Sequence, residues 1–127
     1  MRIKDIVVNF VPHHCQDYDT VGNYGEFKDE TWFNVSLMKD WRHMMLVLVH
    51  ELVEYTLVKW RGIDLKKIDA FDIKFEKKRK KGNTDEPGDD PKCLYFREHQ
   101  FATKLERMLA RELGVKWEKY DRAVNEL

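Results

Sequence analysis

The rhythm of apolar and polar residues changes near residue 40. Before it the chain carries short runs of β-branched and aromatic residues; after it the runs lengthen to helical spacing. Ile3 to Val11 (IKDIVVNFV) stops at Pro12 and predicts a first strand. Val21 to Phe27 and Thr31 to Val35 flank the polar Lys28-Asp29-Glu30 and predict a hairpin, with His13 to Tyr18 as the loop before it. Asp40 is placed to cap a helix running to about Trp60, with Gly62 as its left-handed stop. Asp64 is placed to cap a second, with Ile63 and Ile68 at the staple positions, that fades in the cationic run Lys77 to Lys81. Asn83 to Pro91 (NTDEPGDDP) has the composition of a loop. A third helix is expected from about Leu94 to Leu113, closed by Gly114, and a short fourth from Trp117 to Leu127. The expected fold is α+β, one domain over residues 1–127: an N-terminal strand and a hairpin packed on three to four helices round a central buried one.

Composition narrows the classes. With 127 residues, 43% of them apolar, the chain has enough material for one core and is not disordered. Its 23 basic and 23 acidic residues cancel, which provides no electrostatic footprint for nucleic acid or anionic lipid. Met44 to Val49 is the longest apolar run, far short of the roughly 20 residues of a membrane span, and Met1 to Phe10 lacks the apolar stretch of a leader. Cys15 and Cys93 have no CxxC spacing and read as free thiols of a cytoplasmic protein.

The chemistry concentrates in the first helix. From Met44 to Val58 its only polar members are His50, Glu51, Glu54 and Thr56. Carboxylates and an imidazole inside so apolar an element must be paired, neutralised or bound to a cation. Residues four apart lie one above the other on a helix, so His50 and Glu54 can face one ion with Glu51 beside it. That is the spacing of an HExxH zinc helix, in which two ligands flank a general base, with Glu54 in the second ligand place. The bland alternative has both acids reaching solvent or cationic partners, and His50 as a hydrogen-bonded core histidine.

A catalytic zinc usually takes a third protein ligand. The third helix offers Glu98 and His99. With Phe101 as zero and about 100° per residue, Ala102, Leu105, Met108 and Leu109 mark an apolar arc. Glu98 falls near its middle, His99 and Glu106 at its edge. Position favours Glu98; ligand type favours His99. On the second helix Asp72 shares the face of Leu65, Ile68, Phe71 and Phe75. It is a candidate acceptor for the second ring proton of His50 or His99, with a salt bridge to an Arg as the alternative.

The order of strand, hairpin, HExx helix and later ligand helix resembles small zincin-like metallopeptidase scaffolds of the gluzincin type. There the later helix carries a Glu ligand and, four residues on, an acid that bonds a ligand His. The segment His99-Gln100-Phe101-Ala102-Thr103 is similar to that Glu-x-x-Ala-Asp stretch with the ligand changed. The resemblance implies Zn2+ on His50, Glu54 and His99, Glu51 as catalytic base, and Thr103 as hydroxyl donor to a carboxylate ligand. It also implies a peptide or protein substrate, with Thr31 to Val35 as the substrate-pairing edge strand. Trp41 to Tyr120 further resembles small bacterial and phage proteins of unassigned activity that share HEL-x-E, a DEPGDD-like loop and EH-x-x-AT. This second likeness keeps open a non-catalytic accessory protein that binds another protein and whose HExxE helix is structural or holds a structural metal.

Other constellations are weaker. His13, His14, Cys15 and Cys93 lack zinc-site spacing. The Asp85 to Asp90 loop lacks the spacing of a calcium loop and reads as a solvated turn. The Lys77 to Lys81 run reads as a solvated helix end rather than a phosphate or nucleic-acid contact. Tyr18, Tyr24 and Tyr55 are the available phenol donors.

Overall fold

Asp40 ends the extended chain by accepting a hydrogen bond from the Arg42 amide, which starts helix α1 over Trp41–Trp60. Gly62, at φ 68°, stops it and lets the Ile63 amide reach back to the Val58 carbonyl. Asp64 then caps α2 (Leu65–Lys77) through the Lys66 amide. Helices α3 (Phe96–Glu112) and α4 (Trp117–Asn125) follow, separated at Gly114 with φ 67°. These are the ends expected from the capping and stop residues. This computed structural model describes residues 2–127; Met1, first residue of the segment read as carrying no leader, lies outside them.

Three strands precede the helices: β1 (Asp5–Val11), β2 (Gly22–Phe27) and β3 (Glu30–Ser36). β2 and β3 form the expected antiparallel hairpin, and β1 pairs in parallel with β3, so the sheet order is β1-β3-β2. The strand read as the substrate-pairing edge, Thr31 to Val35, is therefore the central strand. β2 holds the edge next to the helices. The fold is α+β, a small sheet with four helices.

α1 lies between the sheet and α3, and its inward residues Leu46, Val47, Tyr55 and Val58 join three apolar clusters. It is less enclosed than its sequence implies. Trp41, Met45, Leu52, Thr56 and Trp60 face solvent. Its apolar residues thus exceed the surface its neighbours cover, while His50 and Glu54 stay inside.

α3 departs further from expectation. Met108, one of the four residues taken to mark the buried arc, is exposed, as is Phe101 from which the angles are counted; Ala102 and Glu98 are buried as expected, but with them are His99, Glu106 and Ala110. The inward face is turned by roughly 90° at 100° per residue from the one its apolar residues suggest. Two polar residues, His99 and Glu106, occupy its middle because they answer polar groups on α1.

Candidate metal centre

One turn of α1 and one of α3 meet with polar atoms toward one another. His50 Nε2 lies 3.2 Å from Glu54 Oε2 and 3.1 Å from His99 Nδ1, and His99 Nδ1 lies 2.9 Å from the same Glu54 oxygen. All three residues are buried. Three donor atoms around one ion at about 2.05 Å in tetrahedral array stand about 3.3 Å apart. The observed spacings are within a few tenths of an ångström of that. The donor set of two imidazoles and a carboxylate also matches what zinc, iron or manganese accept. The three residues could hold a metal ion.

Partners behind the triad orient it. His50 turns Nδ1 to Glu106 Oε1 at 2.7 Å, leaving Nε2 for Glu54 and His99. The Tyr120 hydroxyl from α4 donates to the other Glu106 oxygen. The second Glu54 oxygen, Oε1, accepts from the Tyr24 hydroxyl of β2 at 2.8 Å. His50 and Glu54 are thereby each held by a group from a different element, which is how outer partners set side-chain orientation in metal sites.

Glu51 stands beside the triad. The β2 backbone comes so close that a Cβ on Gly22 would sit 2.7 Å from Glu51 Cγ, so this position requires glycine. Glu51 and the triad line a cavity of about 600 Å³ together with Asp85 to Asp89, Tyr18, Asp72 and Tyr95.

The electrostatics separate the acids. Burial pushes the Glu51 carboxyl up to about 8, with the Glu54 charge adding to the push. Burial acts on Glu54 in the same direction, but hydrogen bonds from His50 and His99 outweigh it and bring it to about 2. Burial lowers His50, yet Glu106 and Glu54 hold it well above the ordinary imidazole value. The same opposition raises His99, through Asp89, Glu54 and Glu86.

Several expectations need correction. Glu98, the alternative ligand, is buried but turns away and pairs with Arg61. Asp72 serves neither histidine: its oxygens accept from the Tyr95 hydroxyl at 2.6 Å and the Tyr18 hydroxyl at 2.9 Å. No Arg pairs with it among the described residues. The acid behind His50 is Glu106 instead. Thr103 lines the cavity but makes no hydrogen bond to Glu54 among the described residues; Tyr24 does that work. None of the three tyrosines is a free donor, since Tyr55 donates to Glu26. Glu106 was legible in principle: it lies seven residues after His99, two turns along one face of α3.

His13 binds Ser36 and Asp19, and Cys15 and Cys93 are free thiols. No helix among the described residues is long and apolar enough to cross a membrane. No family model, curated protein or solved structure matches the chain.

Proposed function

We propose that the chain is a metal-dependent hydrolase, a zincin-like peptidase whose helix carries HExxE, acting in the cytoplasm of a bacterial or phage-infected cell. The observation that carries this is the convergence of His50 Nε2, Glu54 Oε2 and His99 Nδ1 at the wall of an open cavity, with Glu51 adjacent. His50, Glu54 and His99 hold the ion, with Zn2+ the best match to this donor set. The bound ion supplies Lewis acidity toward a carbonyl and toward water. Glu51, which the charge of a cation beside it would return to its ionised form, would take a proton from water and pass it to the leaving amine. Glu106, backed by Tyr120, fixes the His50 ring, and Tyr24 fixes the Glu54 carboxylate. An extended peptide would add to the edge of β2, whose Gly22, Asn23 and Tyr24 line the cavity, by displacing the Thr20 hydroxyl from the Gly22 carbonyl and the Asn23 side chain from the Tyr24 amide.

The decisive experiment is metal analysis of the purified chain with hydrolysis of a mixed peptide library by the zinc-loaded form. Glu51→Gln should abolish turnover and leave metal content intact. Full turnover in that variant removes the mechanism; a chain that takes up no metal removes the centre.

A second reading, an accessory protein that binds another protein, is favoured by Ile6, Val8 and Phe10, exposed together on one face of β1. Bound zinc that raises the melting temperature without any hydrolysis would favour it.

A further inference from the structure

The two nitrogens of His99 point to different acids. Nδ1 faces Glu54 and His50; Nε2 faces the loop before α3, 3.1 Å from Glu86 Oε2 and 3.3 Å from Asp89 Oδ1. Both acids are about half exposed, whereas His99 is 5% exposed. Acids on a loop are common without any ligand. What distinguishes these is the atom they surround. His99 Nε2 is fully buried and has no hydrogen-bond partner, because both carboxylates lie within ion-pair distance but outside hydrogen-bond geometry. In the metal-free chain that nitrogen is compensated by charge alone, with no directed hydrogen bond.

The loop is also built against this ring. The turn Pro87–Asp89 packs on the imidazole so closely that a Cβ on Gly88 would lie 2.3 Å from His99 Cγ and 2.4 Å from Nδ1. Only glycine allows that approach, and it brings Glu86 and Asp89 to the Nε2 edge of the ring. Asp89 is further tied to α3 by the Gln100 side-chain amide, which donates to its Oδ1 at 3.1 Å.

We infer that Glu86, Asp89 and His99 Nε2 form a second site for a divalent transition metal, so that the His99 ring bridges two ions. The three donor atoms lie within 4.8 Å of one another, as those of the inner triad do. One nitrogen and two carboxylates suit zinc, cobalt or manganese. Binding at both ring nitrogens sends the ring's remaining proton to solvent, which leaves an imidazolate between the ions. This inference rests on the proposal that Nδ1 serves the inner ion, and each site has ligands the other lacks: Glu54 inside, Glu86 and Asp89 outside.

The test is a titration of the metal-free full chain with Zn2+, and separately with Co2+, read as stoichiometry by calorimetry and elemental analysis. The wild type should take two ions, E86Q/D89N one, and E54Q one. The outer affinity should fall at least 100-fold in E86Q/D89N, whose substitutions lie on half-exposed side chains. One ion in the wild type, bound as tightly or tighter in E86Q/D89N, overturns the second site and leaves the inner one standing. One ion that survives E54Q and is lost in E86Q/D89N overturns the inner site and the bridging role while keeping the outer ligands. No uptake at all overturns both.

Discussion

Glu54 and Asp72 are both acids facing one cavity, at 5% and 7% exposure, yet their environments drive them in opposite directions. Glu54 meets two imidazoles and is held at about 2. Asp72 meets two tyrosine hydroxyls, and burial pushes it up to about 7 even though those hydrogen bonds pull it down. A hydroxyl can satisfy a carboxylate's geometry but supplies no charge to offset lost hydration. The difference separates a permanent anion suited to hold a cation from an acid that can remain neutral. It also explains why Asp72, though on the buried face, is not the acid that orients a histidine. Glu106 takes that place because it lies across from His50 on α3, whereas Asp72 is engaged by Tyr18 and Tyr95.

Removing the charge of Glu54 should have the largest effect. Glu54→Gln leaves the two imidazoles without their shared carboxylate, and loss of one partner from a buried charge pair costs about 3–5 kcal/mol. Denaturant unfolding of the metal-free chain should show that loss. A variant as stable as the wild type would mean that the triad contributes nothing to the metal-free fold.

Asp72 is expected to act through pH. Its folded value stands above its unfolded one, so between about pH 4 and 7 the native state keeps a proton that the unfolded chain releases. Its contribution is fully present below about 4 and is lost as pH rises through about 7. Asp72→Asn removes that dependence. Relative to wild type the variant should gain on the order of 2–4 kcal/mol between pH 4 and 8. Parallel stability curves for the two proteins across that range would show that Asp72 is charged at neutral pH, as Glu54 is.

The smallest of the three effects concerns the partner that Asp72 was expected to be. Glu106→Gln keeps the shape beside His50 but weakens the acceptor, and loss of such an outer partner typically lowers metal affinity 10–100-fold. Competition for Zn2+ against a chelator of known affinity measures it. An unchanged affinity in Glu106→Gln together with a drop in Asp72→Asn would reverse the assignment of the two acids.

What could be read in advance followed local rules. Asp40, Asp64, Gly62 and Gly114 marked helix ends because a cap or a left-handed stop depends only on neighbouring backbone. The His50–Glu54 pair was legible because one helical turn fixes its geometry whatever surrounds it. The face of α3 was not, since the usual signal is apolar and the inward stripe here carries His99 and Glu106. The strand order was hidden as well. A hairpin announces its own pairing, but nothing local says that β1 joins β3 in parallel and leaves β2 at the edge.

By itself, then, the amino-acid sequence determined where helices and strands begin and end, and that one helix presents an imidazole and two acids within a turn. Those properties come from backbone dihedrals and hydrogen bonds over a few residues. Only the tertiary structure decided that His99 rather than Glu98 faces His50, that Glu106 rather than Asp72 supports it, and that Gly88 seats a loop on the ring. Each of these depends on the rotation of one element about its axis against another, and that rotation is chosen by polar pairing across the interface.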